Sequence, residues 1–491
     1  MDWEPDAVLA AVRGLPEAAQ LAEELAAMRT DQDRVARVLR LPCLADLQWE
    51  HQQPADTDEQ PENDGDSHAH IDDISHMQAQ LLGGRHAEVP CMSAALLVRR
   101  DPQRGLHLVA AQDIPAGSVL LVEEAFAWSL TAEALADHCT HCATPLRARV
   151  LPCPTCQQAL FCSAWCRRQA LDAYHRRECV LGLRSFLESP LLGCAALLAL
   201  RTVFAEDRAC DTDYSVRRVR DQVTHAEQRT PNDFLRRAVA AACVGRRLLP
   251  APEQRAEAEQ LAGRLLARMQ ACSCNAYQLS EQLLASPHDK EGEPVELGGA
   301  VYPAVSLLNH ACWPNVSRHT AGRACVVRAS RPVARGAELL DNYGPSFLAE
   351  DRDERLQQLR AQYFFTCTCT PCEQDWPLVH QLPPTRYKCP QCKKPIESNL
   401  TAVRRCPHCK KKVDFKKTAC KIAEFSQSYR EAVAKLLEGK FDIAIQLCAK
   451  NMHFLDPIVI HPSIDFLKCQ QVLNQCWSLT GNTNVIQDKV L

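Results

Sequence analysis

The sequence predicts an α+β chain of several domains, and three observations carry that prediction. β-Forming runs occur in two separated stretches: residues 91–130, where LHLVAAQDIPAGSVLLVEE is broken by Pro115 and Gly117, and residues 299–345, with ACVVRAS and GAELLDNYG. Between them lie a cysteine-dense stretch at 139–179 and a helical pattern from about 183 to 285, typified by FLRRAVAAACVGRRLL and EQRAEAEQLAGRLLARMQAC. After them come cysteines at 367–372 and 389–409, and then a second helical pattern to the end. The β material is thus split by a metal module and a helical insert.

Length and composition bound the answer. At 491 residues the chain exceeds one compact core, and about 100–200 residues per domain gives three or so. Hydrophobic residues at 46% and charged residues at 24% are the mix of an ordinary soluble globular protein. No stretch reaches the roughly 18 apolar residues of a membrane span, which excludes an integral membrane protein. The opening MDWEPDAVLAAV is acidic, where a secretory signal starts with positive charge. A net charge of -4 excludes a globally basic nucleic-acid coater. The 27 cysteines are an odd number in a chain expected to lack an export signal. In the reducing cytosol or nucleus they would not be disulfides, so metal sites are the first explanation to test.

The densest cluster reads Cys139-x2-Cys142, Cys153-x2-Cys156, Cys162-x3-Cys166, His175-x3-Cys179. Eight soft or borderline ligands match two tetrahedral zinc ions. Interleaved binding is expected, with Cys139, Cys142, Cys162 and Cys166 on one ion and Cys153, Cys156, His175 and Cys179 on the other. Closed four-ligand sites leave no open position for chemistry, so these ions are structural. Cys367-x-Cys369-x2-Cys372 supplies three ligands, and Cys312 in NHACWPN is the best candidate for the fourth. Cys389, Cys392, Cys406 and Cys409 have zinc-ribbon spacing. The sum is about four structural zinc ions, held by His175 and fifteen cysteines. The remaining twelve, such as Cys194, Cys243 and Cys448, lie in apolar helical surroundings and are expected to pack in cores.

Four separated pieces then fit together: Arg104-Gly105-Leu106 before a β run, Asn275 in CNAYQLS, Leu307–Asn315 (LLNHACWPN), and Gly336–Gly344 (GAELLDNYG). Here, over roughly residues 91–373, the chain resembles the SET and MYND domain-containing (SMYD) lysine methyltransferases. The likeness rests on NHxCxPN followed by GxEL and a tyrosine, with the finger at 139–179 inserted ahead of them. Phe161 just before Cys162 is similar to the MYND finger pattern. The longer chain and helical tail look most like the protein 4 branch. The resemblance implies a split SET β core with an inserted MYND zinc finger, a helical insert, a post-SET zinc site at Cys312, Cys367, Cys369 and Cys372, a zinc ribbon and a helical, tetratricopeptide-like tail.

It also implies roles. Asn309 and His310 match the pair that binds S-adenosylmethionine, and Arg104, Gly105, Leu106, His107 and Asn275 match further cofactor contacts. Tyr343 matches the active-site tyrosine, and Tyr363 and Phe365 match aromatics of the lysine channel, with Tyr343 and Phe365 also beside the cofactor. Two departures stand out: Ala311 replaces a serine of the family pattern, and Asn342 and Gly344 flank the tyrosine, where they bear on channel width.

The expected boundaries are an N-terminal helical segment at 1–51, an acidic linker at 52–90, the first SET part at 91–138, the finger at 139–179 and a helical insert at 180–298. Next come the SET core at 299–349, post-SET at 350–373, the ribbon at 385–412 and the tail at 418–491. Within the linker, residues 52–75 have almost nothing to bury and read as disordered. Between Arg386 and Lys421, twelve Lys/Arg stand against Glu397 and Asp414, so KKKVDFKK could serve nuclear import or contact nucleic acid. In the tail, LLEGKFDIAI with Leu455-Asp456-Pro457 downstream looks like a tetratricopeptide helix pair, which must pack on neighbours to bury its face. With the sequence stopping at Leu491, that array is expected to be incomplete.

The resulting expectation is a protein-lysine N-methyltransferase of nucleus and cytoplasm, using S-adenosylmethionine on a histone or non-histone lysine. A non-catalytic adaptor is the alternative, with the finger docking Pro-rich peptides and the tail a transcriptional corepressor or chaperone. A nucleic-acid-binding zinc protein, resting on the basic ribbon alone, is the third.

Overall fold

The structure, a computed structural model, describes residues 4–45, 69–147, 150–396, 405–413 and 416–486. It divides into two compact units. Met1–Asp73, Glu124–Ser280 and Glu296–Pro303 form the first, and Ile74–Glu123, Glu281–Val295 and Ala304–Leu491 the second.

The first unit is mainly helical. Thr230 starts the helix Pro231–Leu248 by accepting the Asp233 amide at 3.2 Å, with proline at the first turn where no donor is missed. Small residues let this helix lie close against Arg255–Asn275: a Cβ on Gly245 would come within 2.8 Å of the Ala258 carbonyl. The helices expected within 1–51 are present as Pro5–Arg13, Ala18–Ala27 and Asp31–Leu39. They are no separate lobe. They pack on the insert helices, with the Gln270 amide donating to Asp31 at 2.9 Å and the Arg34 guanidinium 4.3 Å above the Phe234 ring. The insert stops being helical sooner than its sequence pattern predicts. After Asn275 the chain runs as strands Ala276–Leu284 and Glu293–Val301, where Tyr277, Leu279 and Glu281 alternate into the interior. Ala127–Leu130 pairs antiparallel with 298–301, so closely that a side chain on Gly298 would strike the Ser129 carbonyl.

In the second unit the two β stretches come together. Leu96–Asp101 and Gly105–Ala110 form a hairpin, whose turn is set by Asp101 accepting the Gln103 and Arg104 amides at 2.8 and 3.0 Å. Leu339 then donates to the Leu108 carbonyl and Ile114 to that of Val333, each at 2.8 Å, which ties the early hairpin to the late strands. Val316–Ala321, Ala324–Ala329 and Val119–Glu124 make a three-stranded sheet. The acidic linker is ordered further back than expected: Ala69–Gln78 is helical, with Ile74 and Met77 packed on Leu81, Val119 and Val122. These apolar residues near its end supply what the preceding acidic stretch lacks. Residues 52–68, the rest of the expected disorder, lie outside the described residues.

The tail forms the helices Lys416–Leu437, Phe441–Leu455 and Ile464–Thr480. Gly439, at φ 74°, makes the turn of the first pair, and Ala444 is fully buried against its neighbours. The third helix covers the face that a lone pair would expose, joining Trp313, Phe347 and Trp376 in one core with Cys448, Met452, Phe466 and Trp477. The end of the tail is a strand: Thr483–Val485 pairs in parallel with Gln282–Leu284.

Glu123 ties the three-stranded sheet to the segment that carries Asn309. Its buried carboxylate accepts the amides of Ala304 and Val305 at 2.8–2.9 Å, at the start of the turn Val305–Leu307 that leads into Asn309. Burial pushes its pKa up to about 7, against the lowering effect of the two amides. A carboxyl with a raised folded pKa contributes stability that is fully present below its ordinary pKa and is lost as pH rises through about 7. Glu123→Gln keeps an acceptor for both amides without the charge. Its unfolding free energy is therefore expected to gain on wild type by roughly 2–3 kcal/mol between about pH 5 and 8. Parallel stability curves in zinc-containing buffer over that range would refute this.

Candidate active site and metal centres

Four side-chain groups have the geometry of metal centres, with all ligand atoms of each within 4.8 Å of one another. They are Cys139, Cys142, Cys162 and Cys166; Cys153, Cys156, His175 and Cys179; Cys312, Cys367, Cys369 and Cys372; and Cys389, Cys392, Cys406 and Cys409. The interleaved pairing and the fourth ligand Cys312, both expected from the sequence, are what the fold assembles. A Zn–S bond of about 2.3 Å places tetrahedral sulfurs about 3.8 Å apart. The sulfurs are separated by 3.6 Å (Cys142–Cys162), 3.8 Å (Cys153–Cys179), 3.5 Å (Cys312–Cys372) and 3.7 Å (Cys392–Cys406). These spacings fit zinc and are far beyond the roughly 2.05 Å of a disulfide.

Local backbone shapes the ligand pairs. In four of them the amide after the second cysteine returns to the carbonyl of the first: Ala143 to Cys139, Gln157 to Cys153, Lys393 to Cys389 and Lys410 to Cys406, all at 2.9–3.0 Å. Those four residues take φ of 59–61°, so each Cys-x2-Cys is a tight knuckle aiming both sulfurs inward.

The ligand His175 is oriented from behind. Its Nε2 faces Cys156 Sγ at 3.4 Å and its Nδ1 donates to Glu178 Oε1 at 3.3 Å. Glu178 is fully buried and receives two hydrogen bonds from Arg201, at 2.6 and 2.9 Å. Burial pushes the Glu178 carboxyl up, but the Arg201 guanidinium and His175 outweigh it and hold it at about 2. Arg201 also donates to the Trp128 carbonyl at 3.0 Å and lies 4.0 Å over the Tyr174 ring. This is the carboxylate–histidine–metal arrangement that fixes ring tautomer and ligand direction. Neither partner stands out in the sequence by motif. The signal that does exist is an arginine inside the apolar run LLALRTVF, which needs a buried anion.

Three of the four expected pieces, those of Arg104, Asn309 and Tyr343, converge in the second unit. Asn309–His310 pairs in parallel with Leu340–Asp341. Asn315, buried, holds that pairing by donating to the Glu338 carbonyl at 2.8 Å and accepting the Leu340 amide at 2.7 Å. Glu338 bridges two predicted cofactor residues: it accepts from Asn309 Nδ2 at 2.8 Å and from Arg104 at 2.9 Å. Asn309 Nδ2 also reaches the Arg104 carbonyl at 3.2 Å, beside Gly105 and the strand that carries Leu106 and His107. Glu338, visible in the sequence only as part of GxEL, thus proves to be the hub of this corner.

His310 joins the third metal centre to the aromatic residues. Burial pushes its pKa down to about 4, so the ring is neutral. Its Nδ1 accepts the Tyr343 amide at 3.1 Å, which places the ring proton on Nε2, 3.4 Å from Cys312 Sγ. The ring lies 5.3 Å from that of Tyr343 and 6.0 Å from that of Phe365. Tyr343 donates its hydroxyl to the Leu308 carbonyl at 2.6 Å, and Tyr363 donates to the Tyr343 carbonyl at 3.0 Å. Phe364 takes φ 61° at the end of the helix Arg352–Tyr363, which lets Tyr363 and Phe365 both join this cluster.

Asn275 belongs to the first unit, at the end of the helix Arg255–Asn275. Its amide nitrogen donates to the carbonyls of Val223 and Ala271 at 3.0 and 2.8 Å. Of the cysteines outside the four centres, Cys243 and Cys448 are fully buried as expected, but Cys210 and Cys420 are exposed.

Residues 105–344 match the family model of the SET domain. Protein-lysine N-methyltransferase SMYD4 of Mus musculus is 26% identical over 387 residues, covering 60% of this chain and 48% of that protein. SMYD4 of Homo sapiens is 23% identical, covering 70% and 55%. N-lysine methyltransferase SMYD2 of Homo sapiens is 26% identical, covering 55% and 59%. Residues 105–344 are thus similar to a SET domain, and the relatives that the chain resembles are SMYD proteins. The chain spans about half the length of the SMYD4 relatives that it matches. The SET match holds Asn309, Glu338 and Tyr343, while Arg104 lies one residue before its start and Tyr363 and Phe365 lie beyond its end.

Proposed function

We propose that this chain is an S-adenosylmethionine-dependent protein-lysine N-methyltransferase, with residues 139–179 as its MYND finger, Cys312, Cys367, Cys369 and Cys372 as its post-SET zinc site, and the tail as a tetratricopeptide-like array. The observation that carries the reading is the parallel pairing of Asn309–His310 with Leu340–Asp341, which joins a polar corner to an aromatic cluster. In that corner the carboxylate of Glu338 and the Asn309 side chain lie side by side, which suits a ligand bearing an ammonium group. The cofactor supplies a methyl group on a sulfonium centre, and every other requirement falls on the chain.

The first requirement is a neutral amine. A lysine of ordinary pKa about 10.4 is roughly 0.1% neutral near pH 7.4, equivalent to about 4 kcal/mol of barrier. The aromatic cluster of Tyr343, Tyr363 and Phe365 disfavours an ammonium by desolvation. The second requirement is alignment. Tyr343 has its hydroxyl proton committed to Leu308 O, so its oxygen lone pairs remain to meet weakly polarised C–H groups or the amine. Tyr363, bonded to the Tyr343 carbonyl, holds the tyrosine in place, and such positioning supplies most of the rate gain. We assign the protein to the nucleus and cytoplasm, and the finger and tail to Pro-rich and corepressor or chaperone partners, on the resemblance alone.

Calorimetric titration of the zinc-loaded chain with S-adenosylhomocysteine tests the reading. Micromolar binding is expected, with Asn309→Ala weakening it at least about tenfold, the worth of one hydrogen bond to a charged group, at unchanged zinc content. Transfer of labelled methyl to lysine in a histone and peptide panel should accompany it. A folded, zinc-loaded protein that binds no S-adenosylhomocysteine would overturn the proposal.

A further inference from the structure

The ribbon at 385–413 has two faces of opposite chemistry. Its inner face is part of the tail core, where Tyr387, Cys389, Ile396, Cys406 and Val413 are buried with Val459 and Phe466. The backbone joins the same core, with Lys388 donating to the Ile458 carbonyl at 2.7 Å and Ile460 to that of Arg386 at 2.8 Å. The ribbon is therefore fixed in orientation, and what it turns outward is set. Outward stand Lys393, Lys394, Arg405, Lys410, Lys411 and Lys412, all exposed. Lys393 and Lys410 are the left-handed residues at the tips of the two knuckles, so each tip carries a cation and is succeeded by more.

The described part of the ribbon, 385–396 and 405–413, contains no Asp or Glu. Four cysteine thiolates on a divalent ion leave that centre at about −2, so six cations exceed what the metal centre itself balances. The surplus calls for a polyanion. The other exposed residues of the described ribbon are Arg386, Pro390, Gln391, Pro395, Pro407 and His408, with no Phe, Tyr, Trp or large aliphatic side chain. Protein partners are anchored by such apolar or aromatic groups. Phosphate backbones require only clustered Lys and Arg.

We propose that the outer face of this ribbon binds the phosphate backbone of nucleic acid without reading its sequence. The surface is independent of the methyl-transfer site and would bring the chain to nucleic acid whatever its substrate.

The test is fluorescence anisotropy of the full, zinc-loaded chain with two short DNA duplexes of unrelated sequence, from about 50 to 200 mM salt. The variant is Lys393→Gln, Lys394→Gln, Lys411→Gln and Lys412→Gln combined, checked for unchanged zinc content and thermal midpoint. Expected are equal affinities for the two duplexes and a log–log salt slope of about −0.9 for each neutralised phosphate. The variant, lacking four lysines, should flatten that slope by about 3.6, losing most of the low-salt affinity. Absence of duplex binding at the lowest salt, or a variant that binds with the wild-type slope, would overturn the proposal. Displacement of the duplex by polyglutamate at equal charge concentration would also overturn it, in favour of an acidic protein partner.

Discussion

Replacing Cys312 by serine is expected to remove one zinc per chain and, with it, all binding of S-adenosylhomocysteine. Cys312 belongs at once to the Asn309–His310 segment and to the third metal centre, where its sulfur lies 3.5 Å from that of Cys372 and its amide donates to Cys369 Sγ at 3.4 Å. Around the centre pack Leu356 and Leu359 and, at its edge, Tyr343, Tyr363 and Phe365. Few other buried apolar residues support this cluster, so the metal is its main cross-link. Structural zinc sites in small fingers carry on the order of 10–16 kcal/mol of apparent binding energy, against about 5–15 kcal/mol for the stability of a whole domain. Losing the ion should therefore unfold 350–373 locally, with the aromatic cluster. Atomic emission should read three zinc ions where wild type has four, and limited proteolysis should cut within 350–373. Cys243→Ser, in a helical core without a metal centre, should keep all four. A Cys312→Ser protein with full zinc content and wild-type binding would remove the metal from the account of the site.

The second large effect is expected at a residue that is not itself a ligand. Arg201→Met leaves the Glu178 carboxylate fully buried with its guanidinium partner gone, and breaking a buried pair in this way costs about 3–5 kcal/mol. Because Glu178 also holds His175, zinc at the Cys153, Cys156, His175 and Cys179 centre should bind roughly 10–100-fold more weakly. Adding Glu178→Gln removes the stranded charge, so the double variant should regain stability relative to Arg201→Met alone. Denaturant unfolding and competition with a chromogenic chelator measure the two effects. If the double variant is no more stable than the single, the charge pair is not what holds this part of the module.

Both results turn on residues of different visibility. Cys312 could be assigned from the sequence because metal ligands come as fixed residue types at fixed short spacings, and an incomplete Cys367-x-Cys369-x2-Cys372 set demands a fourth donor. The same local logic gave the interleaved ligands of 139–179 and the tail helices. It misplaced the end of the helical insert, because the residues after Asn275 alternate as a strand only once a partner strand is present. It also treated residues 69–75 as linker, where Ile74 and Met77 find a core supplied by Val119 and Val122.

Glu178 with Arg201, Glu338 with Asn309 and Arg104, and Glu123 with Ala304 are pairings between residues 23 to 234 positions apart. Each is a common charged or polar residue whose meaning depends on its partner, and nothing in its own neighbourhood names that partner. The kinds of chemistry this protein carries, its zinc centres and its tyrosine and asparagine motifs, were determined by the sequence alone because short spacing constrains them. Which buried charges are compensated, and how Asn309, His310 and Tyr343 come to share one site, was decided only by the tertiary structure, since burial and long-range pairing exist only once distant segments meet.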